Sequence, residues 1–437
     1  MTRVLGAFPL FLLFLALAFG ARAQARFHSI LNEEARVGFS SDLFLVGMEK
    51  DGRGDVGVAL TGGEECSLGA RCFNMTGASE GMPRIANSRL GDFRPIYVSH
   101  IVHLSTDGAC QEIYSTYVPA GCGREVGEKS PSNQGAMQNS WGALEDKLYA
   151  AMSASYDERC IVDKRCPTHL IVMSTGWNND QKSSLKRYSD WMLGVDSAIR
   201  AKGSPIVPMY VGISWPSNWA IPLASFLNKA HDADEAGGLW ASVLLHRTFA
   251  KMRARYGVSY VAVGHSFGAR LLASGVAGCP MVSNDCARIP PDGSPNVFIG
   301  LQAAFSTGRF SKHGIEGGPY SVAGQYNTRF VFTNSGNDRG VMAAPVQWVS
   351  MTTGYMGSLK GRRMALKDPA IFEGAYTLGG GCVQEQSAAS EDGSGRVVMV
   401  DSTAYIDDHN DVFDYHTGQM IAGLISSGGR ASKECGR

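Results

Sequence analysis

A regular alternation of strand-like and helical patterns, from about residue 169 to residue 425, is the feature that most constrains how this chain folds. The strand-like runs are short and apolar, rich in β-branched residues, and most lack alternation with polar residues, which is typical of strands covered on both faces. Helical patterns separate them, and Gly257 follows one of these, where a left-handed C-cap is expected. The pattern predicts βαβ units, and hence a mostly parallel sheet with helices on both faces. The predicted strands cover residues 169–174, 207–213, 258–263, 296–302, 329–333 and 397–400, and the clearest helices cover 185–201 and 239–256.

The third of these strands runs directly into Gly264-His265-Ser266-Phe267-Gly268, and a helix-forming run follows. A G-x-S-x-G string alone is weak evidence, but between a buried strand and a helix it predicts a nucleophile elbow, a sharp turn that presents the serine hydroxyl. Gly264 and Gly268 supply the small flanking positions that let strand and helix approach. A second such string, centred on Ser79, follows no buried strand and is interpreted as a turn. Ser266 is therefore the predicted nucleophile.

A serine that attacks a carbonyl also needs hydrogen-bond donors for the oxyanion that forms. Phe267 follows the serine at the start of a helix, so its backbone N–H is expected to point toward that charge. A second donor is expected from the loop after an earlier strand, and residues 175–179, after the strand at 169–174, fit that place.

Three runs resemble a bacterial group of α/β hydrolases with unassigned substrates. They are Thr175-Gly176-Trp177-Asn178, Ser214-Trp215-Pro216-Ser217 and residues 264–270. Those proteins usually have His-Gly in the first run, where this chain has Thr175 before the glycine. The resemblance implies an α/β-hydrolase fold from about residue 167 to residue 425, with Trp177 as the second backbone oxyanion donor.

A catalytic base is expected near the C-terminus, because in this fold the order along the chain is serine, acid, histidine. Three histidines follow Ser266, and His313 precedes the strand expected to carry the acid. His409 lies in a loop after the last strand, whereas His416 lies in the first turn of a helix, where its reach is poorer and the dipole opposes an imidazolium. We therefore expect His409 to be the base, with His416 as the alternative.

The acid should follow a strand between the serine and the histidine, where it can orient the ring. The strand at 329–333 leads to Asn337-Asp338, and the resemblance also implies an acid at an Asn-Asp pair here. Asp338 is the predicted acid, and Asp401 is its main competitor.

The N-terminus has the features of a cleaved secretory signal, which we place at residues 1–25. Arg3 precedes an apolar run over residues 4–19, and small residues then offer cleavage after Ala23 or Ala25. The sequence pattern then predicts a β-rich, cysteine-stapled N-terminal region at 26–166, with strands near 94–104 and 112–118, and a catalytic domain at 167–437. The expected location is secreted or periplasmic, with no transmembrane segment in the mature protein.

Ten cysteines, all behind the predicted signal, favour disulfides in an oxidising compartment. Four pairs are close in sequence, which makes nearest-neighbour pairing the economical hypothesis and leaves one long-range pair. The predicted pairs are Cys66 with Cys72, Cys110 with Cys122, Cys160 with Cys166, Cys279 with Cys286, and Cys382 with Cys435.

The charge balance and the remaining motifs exclude several function classes. Forty basic and forty acidic residues cancel without forming long blocks, so no nucleic-acid partner is expected. Asp407, Asp408 and Asp411 flank His409, but their spacing matches no metal-binding motif, so we expect neither a metal nor a cofactor. The sequence predicts a serine hydrolase acting on a small-molecule or lipid-like acyl ester. A thioesterase or amidase with the same triad, or a catalytically silent binding protein with this fold, are the alternatives.

Overall fold

The structure is a computed structural model. It describes residues 38–50, 96–118, 122, 128–129, 139–217, 222–278, 293–311, 318–338, 355–365, 367, 372–379, 382–385 and 397–430. The predicted signal peptide and the string around Ser79 lie outside these ranges, as does His313.

An eleven-stranded sheet forms the centre of the molecule, and a separate pair, β4 and β5, forms a small second sheet. The order across the large sheet is β12-β11-β13-β10-β9-β8-β6-β7-β1-β2-β3. The strands are β1 (Leu43–Lys50), β2 (Ile96–Leu104), β3 (Cys110–Ser115), β4 (Tyr117–Val118), β5 (Glu128–Lys129), β6 (His169–Ser174), β7 (Pro208–Ser214), β8 (Ser259–His265), β9 (Val297–Leu301), β10 (Arg329–Asn334), β11 (Phe372–Gly379), β12 (Cys382–Glu385) and β13 (Val397–Asp401).

Most of the sheet is parallel, as the sequence predicts. Parallel pairing runs without interruption from β1 through β7, β6, β8, β9, β10 and β13 to β11. Antiparallel pairs occur only toward the two edges of the large sheet within the described residues, between β1, β2 and β3 and between β11 and β12. All six strands predicted from apolar runs are present, and all seven residues of β7 are buried. The predicted fold class is therefore confirmed.

The helices are α1 (Tyr149–Ile161), α2 (Gln181–Ala201), α3 (Pro222–Glu235), α4 (Phe249–Tyr256), α5 (Phe267–Ala277), α6 (Leu359–Ala365) and α7 (Tyr415–Ser426). Helix α2 begins before the predicted residue 185, because the Asp180 carboxylate caps it by accepting from Ser183 N at 2.7 Å. The helix predicted at 239–256 is regular only in α4, and wide π-type turns at Ala236–Ala241 and Leu244–Thr248 precede it. Gly257 ends α4 with φ 68°, the left-handed cap that the sequence predicts.

Two apolar cores lie on opposite faces of the sheet, because successive side chains of a strand point to opposite sides. On β6, Leu170 and Val172 join the core that includes α3, α4 and α5. Ile171 and Met173 join the core that includes α2 and α7. Both faces are therefore covered by helices, which explains why the central strands have no polar face.

A buried ion network ties α3 to α5. Arg270 donates to both carboxylate oxygens of Asp234, at 3.0 and 2.6 Å, and Arg309 donates to the same carboxylate at 3.0 and 3.3 Å. Burial opposes ionisation of Asp234, but the two guanidinium groups outweigh it and hold the pKa of Asp234 well below its usual range. We call these three residues the Asp234 network.

The N-terminal strands join the main sheet, although the sequence pattern changes near residue 166. Strand β1 pairs in parallel with β7, and β2 and β3 extend the sheet from it. The boundary predicted at 166/167 thus separates two sequence patterns and not two sheets. The physical reason is that β1 offers a buried apolar run, from Leu43 to Val46, to the free edge of β7.

Two of the five predicted disulfides are present in the described part of the chain, Cys110–Cys122 and Cys160–Cys166. Each of the other three pairs includes at least one cysteine outside the described ranges. Within those ranges we find no helix that combines the length and the hydropathy required for a membrane span.

Candidate active site

The chain reverses its direction of travel across the sheet at β6, and this creates a crevice. From β6 it moves to β7 on one side, and it then returns to β8 on the other side of β6. In open α/β sheets, ligands bind outside the carboxyl ends of the strands at such a switch point. Ser266 lies there, between the end of β8 and the first residue of α5.

Ser266 has a strained backbone conformation, with φ 54° and ψ −122°. Such a conformation costs about 1–3 kcal/mol and persists only where its surroundings fix it. Two backbone hydrogen bonds do so, since Ser266 N donates to Leu301 O at 3.0 Å and Ser266 O accepts from Ala304 N at 3.2 Å. The turn is therefore tied to the chain that leaves the neighbouring strand β9.

Three glycines allow the backbone to approach the serine closely. A Cβ on Gly264 would lie 2.4 Å from Ala269 Cα, and a Cβ on Gly268 would lie 2.2 Å from Ser174 O. A Cβ on Gly176 would lie 2.6 Å from Ser266 Cβ. The first two distances explain why the elbow requires glycine at both flanks. The third places the loop after β6 directly against Ser266.

The structure brings His409 and Asp338 together. His409 Nδ1 lies 2.9 Å from Asp338 Oδ1 and 3.0 Å from Oδ2. Asp338 lies in the loop after β10 and His409 in the loop after β13, and these strands are parallel neighbours, so their following loops meet at one edge. The carboxylate of Asp338 is 1% exposed. Because a carboxylate can only accept, Nδ1 carries the proton and Nε2 is left as the basic nitrogen.

His265, the residue before the serine, connects the elbow to the histidine loop. Its Nε2 lies 2.8 Å from His409 O, and the two rings lie 4.7 Å apart. A carbonyl can only accept, so His265 Nε2 carries the proton. Burial, followed by the proximity of His409 and Arg187, holds the pKa of His265 well below its usual value. His265 is thus a neutral donor that fixes the backbone of His409.

Two residues of α2 fix the other side of the same loop. Trp191 Nε1 donates to Val412 O at 2.7 Å, and its ring stacks on Phe413 with centroids 4.8 Å apart. The guanidinium of Arg187 lies 4.7 Å from the centre of the Phe413 ring, a cation–π geometry.

The competing residues lie elsewhere. His416 is exposed on the first turn of α7, with its ring 5.8 Å from that of Tyr405. Asp401 pairs with Arg362 at 2.8 Å. Asp411 accepts from the backbone N–H groups of Asp407 and Asp408 and so closes a turn. Among the residues that the structure describes, no group of three His, Cys, Asp or Glu side chains is arranged to hold a metal ion.

The loop that carries Trp177 is held in place by side chains on several sides. Asn179 Nδ2 donates to Gly176 O at 2.9 Å and to Trp177 O at 3.1 Å. Trp215 Nε1 donates to Thr175 O at 2.8 Å, and the Thr175 hydroxyl is 2.8 Å from that of Ser184. Thr175, which stands where histidine is usual, is therefore 1% exposed and part of the loop's internal hydrogen bonding.

Sequence reasoning did not identify His265, Trp191 or Gln302 as parts of this site. Gln302 Nε2 donates to Asp338 Oδ2 at 3.1 Å. His265 lies inside the serine motif, so its position was a signal that could have been used. The other two make contacts over 36 residues or more along the chain, which no local pattern reveals.

The parallel sheet, the strained turn after β8 and the loops after β10 and β13 together define an α/β-hydrolase-type fold, the class that the sequence resemblance implies. No protein-family model and no curated protein matched the chain.

Several solved structures of esterases show a low overall similarity to the chain. A thermophilic esterase from Thermogutta terrifontis is 13% identical, with 61% of this chain and 86% of that chain covered at a TM-score of 0.32. An acetyl xylan esterase is 9% identical, with 61% and 100% covered at 0.29. A cutinase-like protein from Cryptococcus sp. is 10% identical, with 61% and 98% covered at 0.27.

Proposed function

We propose that this protein is an exported serine hydrolase that cleaves a carboxylic ester through an acyl-enzyme. The observation that carries the proposal is the pairing of His409 Nδ1 with the buried Asp338, in a loop that His265 ties to the strained Ser266. A strained serine, a ring with a fixed tautomer and a buried carboxylate are the three parts of a nucleophile–base–acid triad.

In the proposed reaction, Ser266 Oγ attacks the carbonyl carbon while His409 Nε2 accepts the hydroxyl proton. Asp338 stabilises the imidazolium that forms, and the backbone N–H groups of Trp177 and Phe267 donate to the oxyanion. The tetrahedral intermediate collapses as His409 returns the proton to the alcohol that leaves. A water molecule, activated by the same ring, then hydrolyses the acyl-enzyme and regenerates Ser266.

An ester is the proposed substrate class because an alcohol leaves more readily than an amine and therefore depends less on the proton that His409 returns. Export is supported by the predicted signal at residues 1–25 and by the two disulfides, which persist in oxidising compartments.

The test is covalent labelling with a fluorophosphonate probe together with hydrolysis of p-nitrophenyl esters of increasing chain length. We expect Ser266→Ala to abolish both, and Ser79→Ala to leave both nearly unchanged. His409→Ala should lower kcat by several powers of ten, whereas its matched control, His416→Ala, should change kcat by less than about tenfold.

The outcomes separate the alternatives. Labelling of folded Ser266→Ala at the wild-type rate, or the reverse pattern in the two histidine variants, would contradict the triad. A folded wild type that neither labels nor hydrolyses any ester would favour the silent binding protein. Faster turnover of thioesters or anilides than of esters would reassign the substrate class.

A further inference from the structure

Gln302 is a buried amide between the strand that ends near the serine and the loop that carries the acid. It follows β9 directly, is 0% exposed, and has φ 45°, which is unusual for a residue other than glycine. The preceding residue, Leu301, accepts the backbone hydrogen bond of Ser266. Gln302 therefore occupies a strained position beside both predicted catalytic loops, the kind of position that the surrounding structure must fix.

Two hydrogen bonds define the orientation of this amide, and a third, from the backbone N–H of Gln302, fixes the hydroxyl of Thr333. Thr333 Oγ1 accepts from Gln302 N at 3.0 Å and donates to Gln302 Oε1 at 3.0 Å. The other end of the amide, Nε2, donates to Asp338 Oδ2 at 3.1 Å. A flipped amide would place an acceptor against the carboxylate, so this orientation is the only one that satisfies both partners.

From these contacts we infer that Gln302 is a positioning residue for Asp338, an inference that rests on the proposed function. A buried carboxylate is stable as an anion only when donors satisfy it. The neutral Gln302 amide provides such a donor on Oδ2 while His409 Nδ1 contacts both oxygens. It thereby holds the carboxylate plane toward His409 without adding a charge.

The direction of the effect follows from the charge. Without the amide, the carboxylate is less well compensated and stabilises the imidazolium that forms on His409 more strongly. In Gln302→Leu we therefore expect the acidic limb of the kcat/KM profile to move to higher pH. Because the carboxylate plane is no longer fixed, kcat should fall about 10- to 100-fold while KM stays within twofold.

A matched control is Asn334→Leu, because Asn334 is also a buried amide near the end of β10 and donates to Val400 O at 2.9 Å. We expect this variant to lose stability without moving the pH profile. A double-mutant cycle then asks whether Gln302 acts through the acid, since Gln302→Leu should cause less than a twofold change in an Asp338→Asn background.

The low-field NMR signal of the His409 Nδ1 proton gives a readout that does not depend on turnover. We expect it to shift in Gln302→Leu and to stay in place in Asn334→Leu. If Gln302→Leu does not fold, Thr333→Val against Thr333→Ser tests the same inference, because only valine releases the amide from its hydroxyl partner. An unmoved pH limb and an unmoved proton signal in folded variants would overturn the inference. Ester hydrolysis at the wild-type rate by folded Ser266→Ala would instead overturn the proposed function.

Discussion

The crossing of α2 and α7 is a glycine-to-glycine contact, and we expect it to set the position of the loop that carries His409. A Cβ on Gly418 would lie 2.5 Å from Gly194 C and 2.6 Å from Gly194 Cα, both backbone atoms that cannot rotate away. In the opposite direction, a Cβ on Gly194 would lie 3.2 Å from Gly418 Cα. Carbon atoms in good contact are about 3.5–4.0 Å apart. Gly418→Ala must therefore separate the helices by about 1 Å, whereas Gly194→Ala requires about 0.3 Å.

We expect this separation to displace His409, the proposed base. Helix α7 begins at Tyr415, a few residues after His409, and the loop between them is anchored to α2 through Trp191. A displacement of about 1 Å can cost about 100-fold in rate. Overpacking costs about 1–3 kcal/mol, and alanine recovers about 1 kcal/mol over glycine in a helix. We expect Gly418→Ala to lower kcat about 10- to 100-fold and to lower the free energy of unfolding by about 0–2 kcal/mol.

The assay compares kcat on a p-nitrophenyl ester with urea unfolding for three variants. Gly194→Ala should stay within about threefold of wild type in rate, since its contact is only slightly tight. Gly142→Ala is the control, because a Cβ there meets nothing within 4 Å. Wild-type kcat in a folded Gly418→Ala protein would refute the idea that the crossing sets the position of the base.

Three further predictions concern stability. Asp234→Asn should lower the free energy of unfolding by about 3–5 kcal/mol, because Arg270 and Arg309 would stay buried without the carboxylate that they share. A loss of less than about 1 kcal/mol in urea unfolding would contradict this. Burial lowers the pKa of His246 to about 4, so as the pH falls the histidine is protonated in the unfolded state before it is protonated in the folded state. The free energy of unfolding of the wild type should therefore fall by about 3 kcal/mol between pH 6.5 and pH 4. His246→Gln should have a flatter pH dependence over that window, and an equal slope would show that another group is responsible. Removing Cys110–Cys122 should lower the free energy of unfolding by about 3 kcal/mol, and removing Cys160–Cys166 should lower it by about 2 kcal/mol, because the first bridge closes the longer loop. The reverse order in thermal unfolding would contradict this origin in loop entropy.

The central strands could be predicted because their signal is local. A strand covered on both faces must be apolar along its whole length, so β6 was predicted with its observed bounds. The N-terminal strands could not be assigned to the same sheet, because parallel pairing of β1 with β7 joins residues more than 160 positions apart. The spacing of apolar residues in either segment does not identify the strand with which it pairs.

The interruptions of the helix predicted at 239–256 have a different cause. A Cβ on Gly237 would lie 2.1 Å from Leu271 O, so the wide turns there lie against α5 at backbone distance. Helical periodicity describes which face is apolar, but it does not report where two backbones must approach each other.

The sequence suggested the three residues proposed to react, but not the residues that hold them in place. The residue types and their order along the chain suggested Ser266, Asp338 and His409, because each lies just after a predicted strand. The residues that hold them in place have no such signature. Gln302 was identifiable only once the pairing of β9 with β10 placed the two strand ends side by side.

The order of the strands explains why these supporting residues occur where they do. Strands β8, β9, β10 and β13 are consecutive in the sheet, and they lead to Ser266, Gln302, Asp338 and His409. Each loop is then bonded to another loop of the set, through Ser266 N to Leu301 O, Gln302 to Asp338, and Asp338 to His409. The hydrogen bond from His265 Nε2 to His409 O joins the loop after β13 back to the end of β8, so the four loops are bonded in a closed ring. Because each of these four loops has two bonded partners, a displacement of one is resisted by its neighbours, and this keeps the strained serine and the buried carboxylate in fixed relative positions.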